Sequence, residues 1–136
     1  APIVANAADL GVPAFPREIM AWTGDVYAPA FERAAPGCGF ALRENDYVLG
    51  DRKIGGNAQT ITRNRVVHHT SFLETFSEAR MAYLRMPSKR PAYRNDRPHS
   101  SFVTSLALAG VAWEDVQRGL LAELAGAFRV DAGDDE

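Results

Sequence analysis

The spacing of apolar residues changes period along this 136-residue chain, and each change marks an element. Residues 1–14 begin apolar and turn loop-like at "GVPAFP". From Arg17 onward, Ile19, Met20, Trp22, Val26, Tyr27, Ala30 and Phe31 recur at intervals of three and four, which predicts a helix with Pro16 near its start. Pro29 lacks an N–H and is expected to kink or end that helix. "APGCG" reads as a turn. Between residues 39 and 73 the period drops to two. "FALR" and "DYVLG" are short strands, and Gly50-Asp51 has the glycine-first chemistry of a type II′ hairpin turn. "NAQTIT" alternates, Arg63-Asn64 can turn, and "RVVHHTSFL" is a β-branched strand, so the region predicts an antiparallel meander. After Phe76, "SEARMAYLRM" predicts a second helix that stops at Pro87. "PSKRPAYRNDRPHSS" is a polar loop punctuated by proline. The apolar "FVTSLAL" leads to a last helix from about Trp113 to Phe128, with a stripe of Val116, Leu120, Leu121, Leu124 and Phe128. No internal repeat is apparent. Helices flanking a block of strands predict an α+β domain.

Composition narrows the function. An apolar fraction of 46% supports a single domain's core, and a net charge of −2 argues against a dedicated nucleic-acid binder. No apolar run approaches the roughly 18 residues of a membrane span, and no signal peptide is visible. The expectation is therefore a soluble protein with no membrane partner, cytoplasmic or organellar. Cys38 is the single cysteine, which rules out an internal disulfide and a cysteine-based zinc cage. The chain opens without methionine, consistent with a processed protein or a piece of a longer one. Residues 80–97 carry six basic side chains (Arg80, Arg85, Lys89, Arg90, Arg94, Arg97) against Asp96, a local excess in a net acidic chain. That stretch is either a solvated loop or a docking patch for an acidic protein or phosphate-bearing ligand.

The candidate chemistry centres on "ENDYVLGDRKIGGNAQ", residues 44–59. Lys53 stands beside Gly55-Gly56. The pair suits either a carbonyl or phosphate pinned by the ammonium over bare backbone, or a β-bulge with a solvated lysine. Neighbours on a strand face opposite ways, so only one of Asn45 and Asp46 can line a given pocket. An asparagine there can donate to phosphate and an aspartate can hold Mg²⁺ through water, whereas an Asx turn is the structural alternative. His68 and His69 likewise point apart and cannot chelate one ion. His69 shares a face with Val67 and Ser71, and His68 with Val66, Thr70 and Phe72. Cys38 is a nucleophile only if a nearby cation lowers its pKa.

Taken in order, "ENDYVLGDRKIGGNAQ", "VVHHTSFL" and "YRNDRPHSSFVTSL" resemble the biotin/lipoate protein ligase catalytic superfamily, specifically lipoate–protein ligase A and its relatives. The resemblance covers roughly residues 38–128, and the family's core helix accounts for 17–33. It implies an α+β fold of the class II synthetase-like type, with an antiparallel or mixed sheet and packing helices. By position it places Lys53 on the lysine that contacts the acyl carbonyl and phosphate oxygens of an acyl-adenylate. Gly55, Gly56, Asn57 and Ala58 fall on the turn around that intermediate. Asn45 and Asp46 fall on the pair near the adenylate phosphate and its magnesium, and His69 on the second histidine of an "HHG" element beside the acyl chain. Thr70 stands where that glycine would be. The implied activity is ATP-dependent activation of lipoate or octanoate to acyl-AMP, then transfer to a lysine of a lipoyl carrier domain of the E2 or H-protein type. The family's arginine pair and "GGG" segment are absent from the chain. Residues 1–130 are therefore expected to be the C-terminal portion of a catalytic domain, inactive alone and completed by the missing N-terminal half on the same or a separate chain, with 131–136 an acidic tail. The alternatives are a Cys38-dependent octanoyltransferase, a non-catalytic binding remnant and biotin transfer on the same scaffold, which the Asn-Asp and double-histidine pattern resembles less.

Overall fold

A computed structural model describes residues 2–128. Five strands form one antiparallel sheet in the order β1-β5-β4-β3-β2. The meander runs through β2 (Phe40–Arg43), β3 (Asp46–Leu49), β4 (Arg52–Ile61) and β5 (Arg65–Phe72). Leu49 pairs with Arg52 across Gly50-Asp51, and Gly50 takes the positive φ of 60° that a glycine-first turn requires. The sheet matches the expected α+β class and is antiparallel throughout its strand pairs. An edge strand not foreseen in the sequence, β1 (Pro2–Asn6), lies along β5, with Ile3 opposite His68 and Val4 opposite Val67.

Helices α1 (Pro16–Ala34) and α4 (Trp113–Ala127) pack on one face of the sheet. Between them and the strands lie Tyr27, Phe31, Tyr47, Ile54, Leu106, Val116 and Leu120, all buried. The helices approach closely at Gly119, where a Cβ would stand 3.1 Å from Ala30 Cα. Pro29 does not end α1, which continues to Ala34. Pro29 and Asp25, whose carbonyl loses its N–H partner, both lie on the exposed side, while Tyr27, Ala30 and Phe31 anchor the helix from within. Leu121, placed in the apolar stripe of α4 by spacing, is 52% exposed and belongs to the outer side.

The predicted helix over "SEARMAYLRM" shrinks to α2 (Glu78–Met81). Tyr83 is 88% and Leu84 55% exposed, so no apolar face is buried to hold a longer helix. A 3₁₀ turn (Ala92–Arg94) and α3 (His99–Phe102) follow. This segment covers the other face of the sheet at the β3 end, where Val48, Tyr93, Phe102 and Val103 form a small second core. Further along that face Val4, Ala58, His69 and Ser71 remain exposed.

Candidate functional site on the open face of the sheet

The alternation of β4 breaks once. Tyr47 pairs with Gly55 and Val48 with Lys53, so Ile54 is an extra residue and β4 is bulged. Ile54 and Gly55 are both buried, and Ile54 joins the core beneath the helices. Lys53 and Gly56, three positions apart, consequently emerge on the same open face. A Cβ on Gly56 would sit 3.7 Å from Lys53 Nζ, so the ammonium lies over bare backbone at that glycine. The bulge and a lysine held over bare backbone, rival readings of the sequence, occur together here. The solvated-lysine half of the bulge reading fails, because Lys53 Nζ is 2.6 Å from Asp46 Oδ1 with side chains 30% and 13% exposed.

Asp46 is the member of the Asn45-Asp46 pair that faces Lys53. Its Oδ2 accepts a hydrogen bond from Tyr93 Oη at 2.8 Å, so both carboxylate oxygens are engaged. Burial, then the hydrogen bond and charge of Asp46, hold the Tyr93 phenol well above its ordinary pKa. Asn45 is exposed at the hairpin turn. Asn57 also lies away from Lys53. It pairs with the buried Thr70 and donates through Nδ2 to the Asn45 carbonyl at 2.8 Å, tying β4 to that turn. Gly55 has a packing reason: a Cβ there would meet Phe72 Cδ1 at 2.7 Å and the Ser71 carbonyl oxygen at 2.9 Å.

Ala58 and His69 are paired across β4 and β5 and are both exposed on the face that carries Gly56. His69 also edges a cleft of about 240 Å³ lined by Thr70, Ser71, Phe72, Glu74, Leu106 and Trp113. His68 turns inward and is fully buried. Thr23 Oγ1 donates to the Met20 carbonyl at 2.8 Å and so accepts from Tyr47 Oη at 2.6 Å. Tyr47 Oη then accepts from His68 Nε2–H at 3.0 Å. The network assigns His68 as the Nε2-protonated tautomer, with its buried Nδ1 lacking a hydrogen-bond partner. Burial, reinforced by His69, lowers the His68 pKa, so the ring is neutral. Burial likewise raises the nearby Tyr27 phenol to about 12.

Cys38 lies elsewhere. It is half-buried against the core beneath the helices, and its Sγ is 3.7 Å from the Phe31 carbonyl oxygen. Lys53 is not brought to it. Among the described residues no group of three or more His, Cys, Asp or Glu could hold a metal ion. Lys53 and Tyr93 already engage the two Asp46 oxygens, so Mg²⁺ there would compete with those two groups. Tyr93 is the principal site residue that residue-level reasoning missed. It lies among the arginines of "YRNDRPHSSFVTSL", and nothing in the local pattern aims a tyrosine at a strand more than forty residues earlier.

The described residues contain no helix long and apolar enough to cross a membrane. Comparison with solved structures finds this fold in lipoate-protein ligase A bound with ATP, at a TM-score of 0.61 and 15% identity, covering 96% of this chain and 53% of that one. It also finds it in a bi-partite lipoate protein ligase from Thermoplasma acidophilum described with its E2 lipoyl domain, at a TM-score of 0.56 and 17% identity, covering 98% and 52%. Among curated proteins, the inactive lipoate–protein ligase 2 of Plasmodium falciparum (isolate 3D7) is 42% identical over 80 residues, 51% of this chain and 21% of that protein. The chain thus spans about half the length of the two structures and a fifth of the curated relative. The model of the lipoyl protein ligase A/B catalytic domain matches residues 1–125, and the chain belongs to that family.

Proposed function

We propose that this chain is the lysine-bearing C-terminal portion of a lipoate–protein ligase-type catalytic domain. The whole domain uses ATP to convert lipoate or octanoate to an acyl-AMP, and then passes the acyl group to a lysine of a lipoyl carrier domain. The observation that carries the reading is Lys53, half-buried and aimed over Gly56 on an open sheet face. An ammonium held there can stabilise charge developing on the carbonyl or phosphate oxygens of a mixed anhydride, usually among the largest catalytic contributions. Gly56 leaves room for an elongated ligand against main chain, and Ala58 and His69 continue the same face. Family membership, and relatives solved with ATP or described with an E2 lipoyl domain, support ATP and a lipoyl carrier domain as the other participants.

ATP–pyrophosphate exchange with a panel of carboxylic acids, run on the full-length gene product, tests the reading. Lipoate- or octanoate-dependent exchange is expected, and Lys53→Ala should lower it about a thousandfold, the scale of a lost oxyanion stabiliser. Loss below about tenfold would remove Lys53 from that role. The 136 residues alone are expected to be inactive. A second reading, a binding domain without catalysis, is favoured by one observation: the curated relative is named an inactive ligase. It predicts binding of the acid without exchange. The cysteine-dependent transfer reading has less support, because Cys38 packs on the helix side of the sheet.

A further inference from the structure

Three groups of the β2–β3 hairpin converge on one residue in a distant loop. The guanidinium of Arg43 lies 4.8 Å from the centroid of the Tyr93 ring. Glu44 Oε1 accepts from the Tyr93 N–H at 3.3 Å, and Asp46 Oδ2 accepts from the Tyr93 hydroxyl at 2.8 Å. Glu44 does this from a φ of 53°, a backbone conformation that costs a non-glycine residue free energy. From the loop side, Arg97 Nη2 donates to the Tyr93 carbonyl at 3.0 Å, and Phe102 packs against the ring at 5.3 Å between centroids. The tyrosine is 8% exposed and held at both ends of its side chain and along its main chain.

We propose that Tyr93 is a positioning residue that aims the Lys53 ammonium through Asp46. Lys53 occupies Oδ1 of the carboxylate at 2.6 Å and the Tyr93 hydroxyl occupies Oδ2. The phenol fixes the carboxylate plane, and the plane fixes where the ammonium rests above Gly56. The same loop also grips the lysine main chain, since the Thr104 N–H donates to the Lys53 carbonyl at 2.9 Å. Residues 93–104 therefore hold both ends of Lys53, one through a hydrogen bond and one through a tyrosine–carboxylate relay. Without the hydroxyl, Oδ2 turns to water, the carboxylate swings outward and the ion pair opens.

The functional importance of this relay rests on the reading of Lys53 given above, but the relay itself can be measured without ATP or acid. The sequence contains two lysines, Lys53 and Lys89, and Lys89 is exposed. Limiting acetylation with an N-hydroxysuccinimide ester, followed by peptide mass spectrometry, gives the Lys53:Lys89 labelling ratio with an internal control. In Tyr93→Phe the ratio is expected to rise about tenfold, the scale of one lost hydrogen bond to a charged group. Asp46→Asn should raise it too, and adding Tyr93→Phe to Asp46→Asn should add nothing. General loosening of the fold would also raise the ratio, because Lys89 is already exposed, but it would do so equally in the Asp46→Asn background. A ratio in Tyr93→Phe that stays at or below the wild-type value, or an equal rise in the Asp46→Asn background, overturns the proposal. If circular dichroism finds Tyr93→Phe unfolded, Glu44→Gly decides instead: it releases the Tyr93 N–H while relieving the turn, and must raise the ratio. Positive labelling with no ATP–pyrophosphate exchange would retain the relay and reject the ligase reading. Exchange without the labelling change would do the reverse.

Discussion

A methyl group on Gly55 would stand 2.7 Å from Phe72 Cδ1 and 2.9 Å from the Ser71 carbonyl oxygen, whereas one on Gly56 would meet nothing nearer than Lys53 Nζ at 3.7 Å. Two adjacent glycines thus serve different ends, one packing a cross-strand phenylalanine and the other keeping a surface bare. Gly55→Ala is expected to lower stability by roughly 1–3 kcal/mol through overpacking, and Gly56→Ala by less than about 0.5 kcal/mol. Equilibrium urea unfolding checks both. Equal costs would mean that the bulge does not separate the two faces as described. The sequence pointed to Lys53 and the double glycine because a lysine beside unsubstituted backbone is a local signal. It could not say which glycine lies beneath the ammonium, since that depends on Ile54 being the extra residue opposite β3.

At the scale of elements, the basic stretch divides once the fold is known. Arg94 is 3% exposed, with its guanidinium over Phe102, and Arg97 is committed to Asp51 at 2.9 Å. Arg90 pairs with Asp96 at 2.8 Å, leaving Arg80, Arg85 and Lys89 exposed around α2 and the following loop. An acidic carrier would meet these three first. Arg80→Glu together with Arg85→Glu should raise the KM for carrier domain and spare adenylate formation in the full-length enzyme, because rim charges act chiefly on encounter. Equal loss in both half-reactions would reject the docking role. The same stretch records where periodicity misled. "SEARMAYLRM" has helical spacing, yet a helix this short needs a buried face, and Tyr83 and Leu84 have none. Conversely α1 runs through Pro29, because packing on its inner side outweighs one missing hydrogen bond.

For the molecule as a whole, acid is the expected weakness. His68 is buried neutral, with its pKa lowered by burial and then by His69, and His99 is lowered by burial and then by Arg94. Below the ordinary histidine value near 6.5 the unfolded chain takes up protons that the folded chain refuses, so stability falls as pH falls. Each such proton contributes at most about 1.4 kcal/mol per pH unit. Melting temperature should therefore drop between pH 7 and pH 5, and His68→Gln, which can still donate to Tyr47, should shallow that slope while His99 maintains part of it. A slope unchanged by His68→Gln would place the acid sensitivity elsewhere.

By itself the sequence determined the α+β class, the β2–β5 meander with its Gly50 turn, the two long helices, and a ligase-like ordering of motifs around Lys53. Those features are written in short-range periodicity, turn chemistry and residue spacing, which neighbouring positions carry. Tertiary structure alone decided that Asp46 rather than Asn45 meets Lys53, that Asn57 ties down a turn, and that Cys38 sits beneath the helices. It also added β1 at the sheet edge and brought Tyr93 to a carboxylate forty-seven positions earlier. Each of these depends on which face a strand presents after a one-residue bulge, or on where a long loop lands. Such outcomes follow from long-range packing, and no local pattern of residues encodes them.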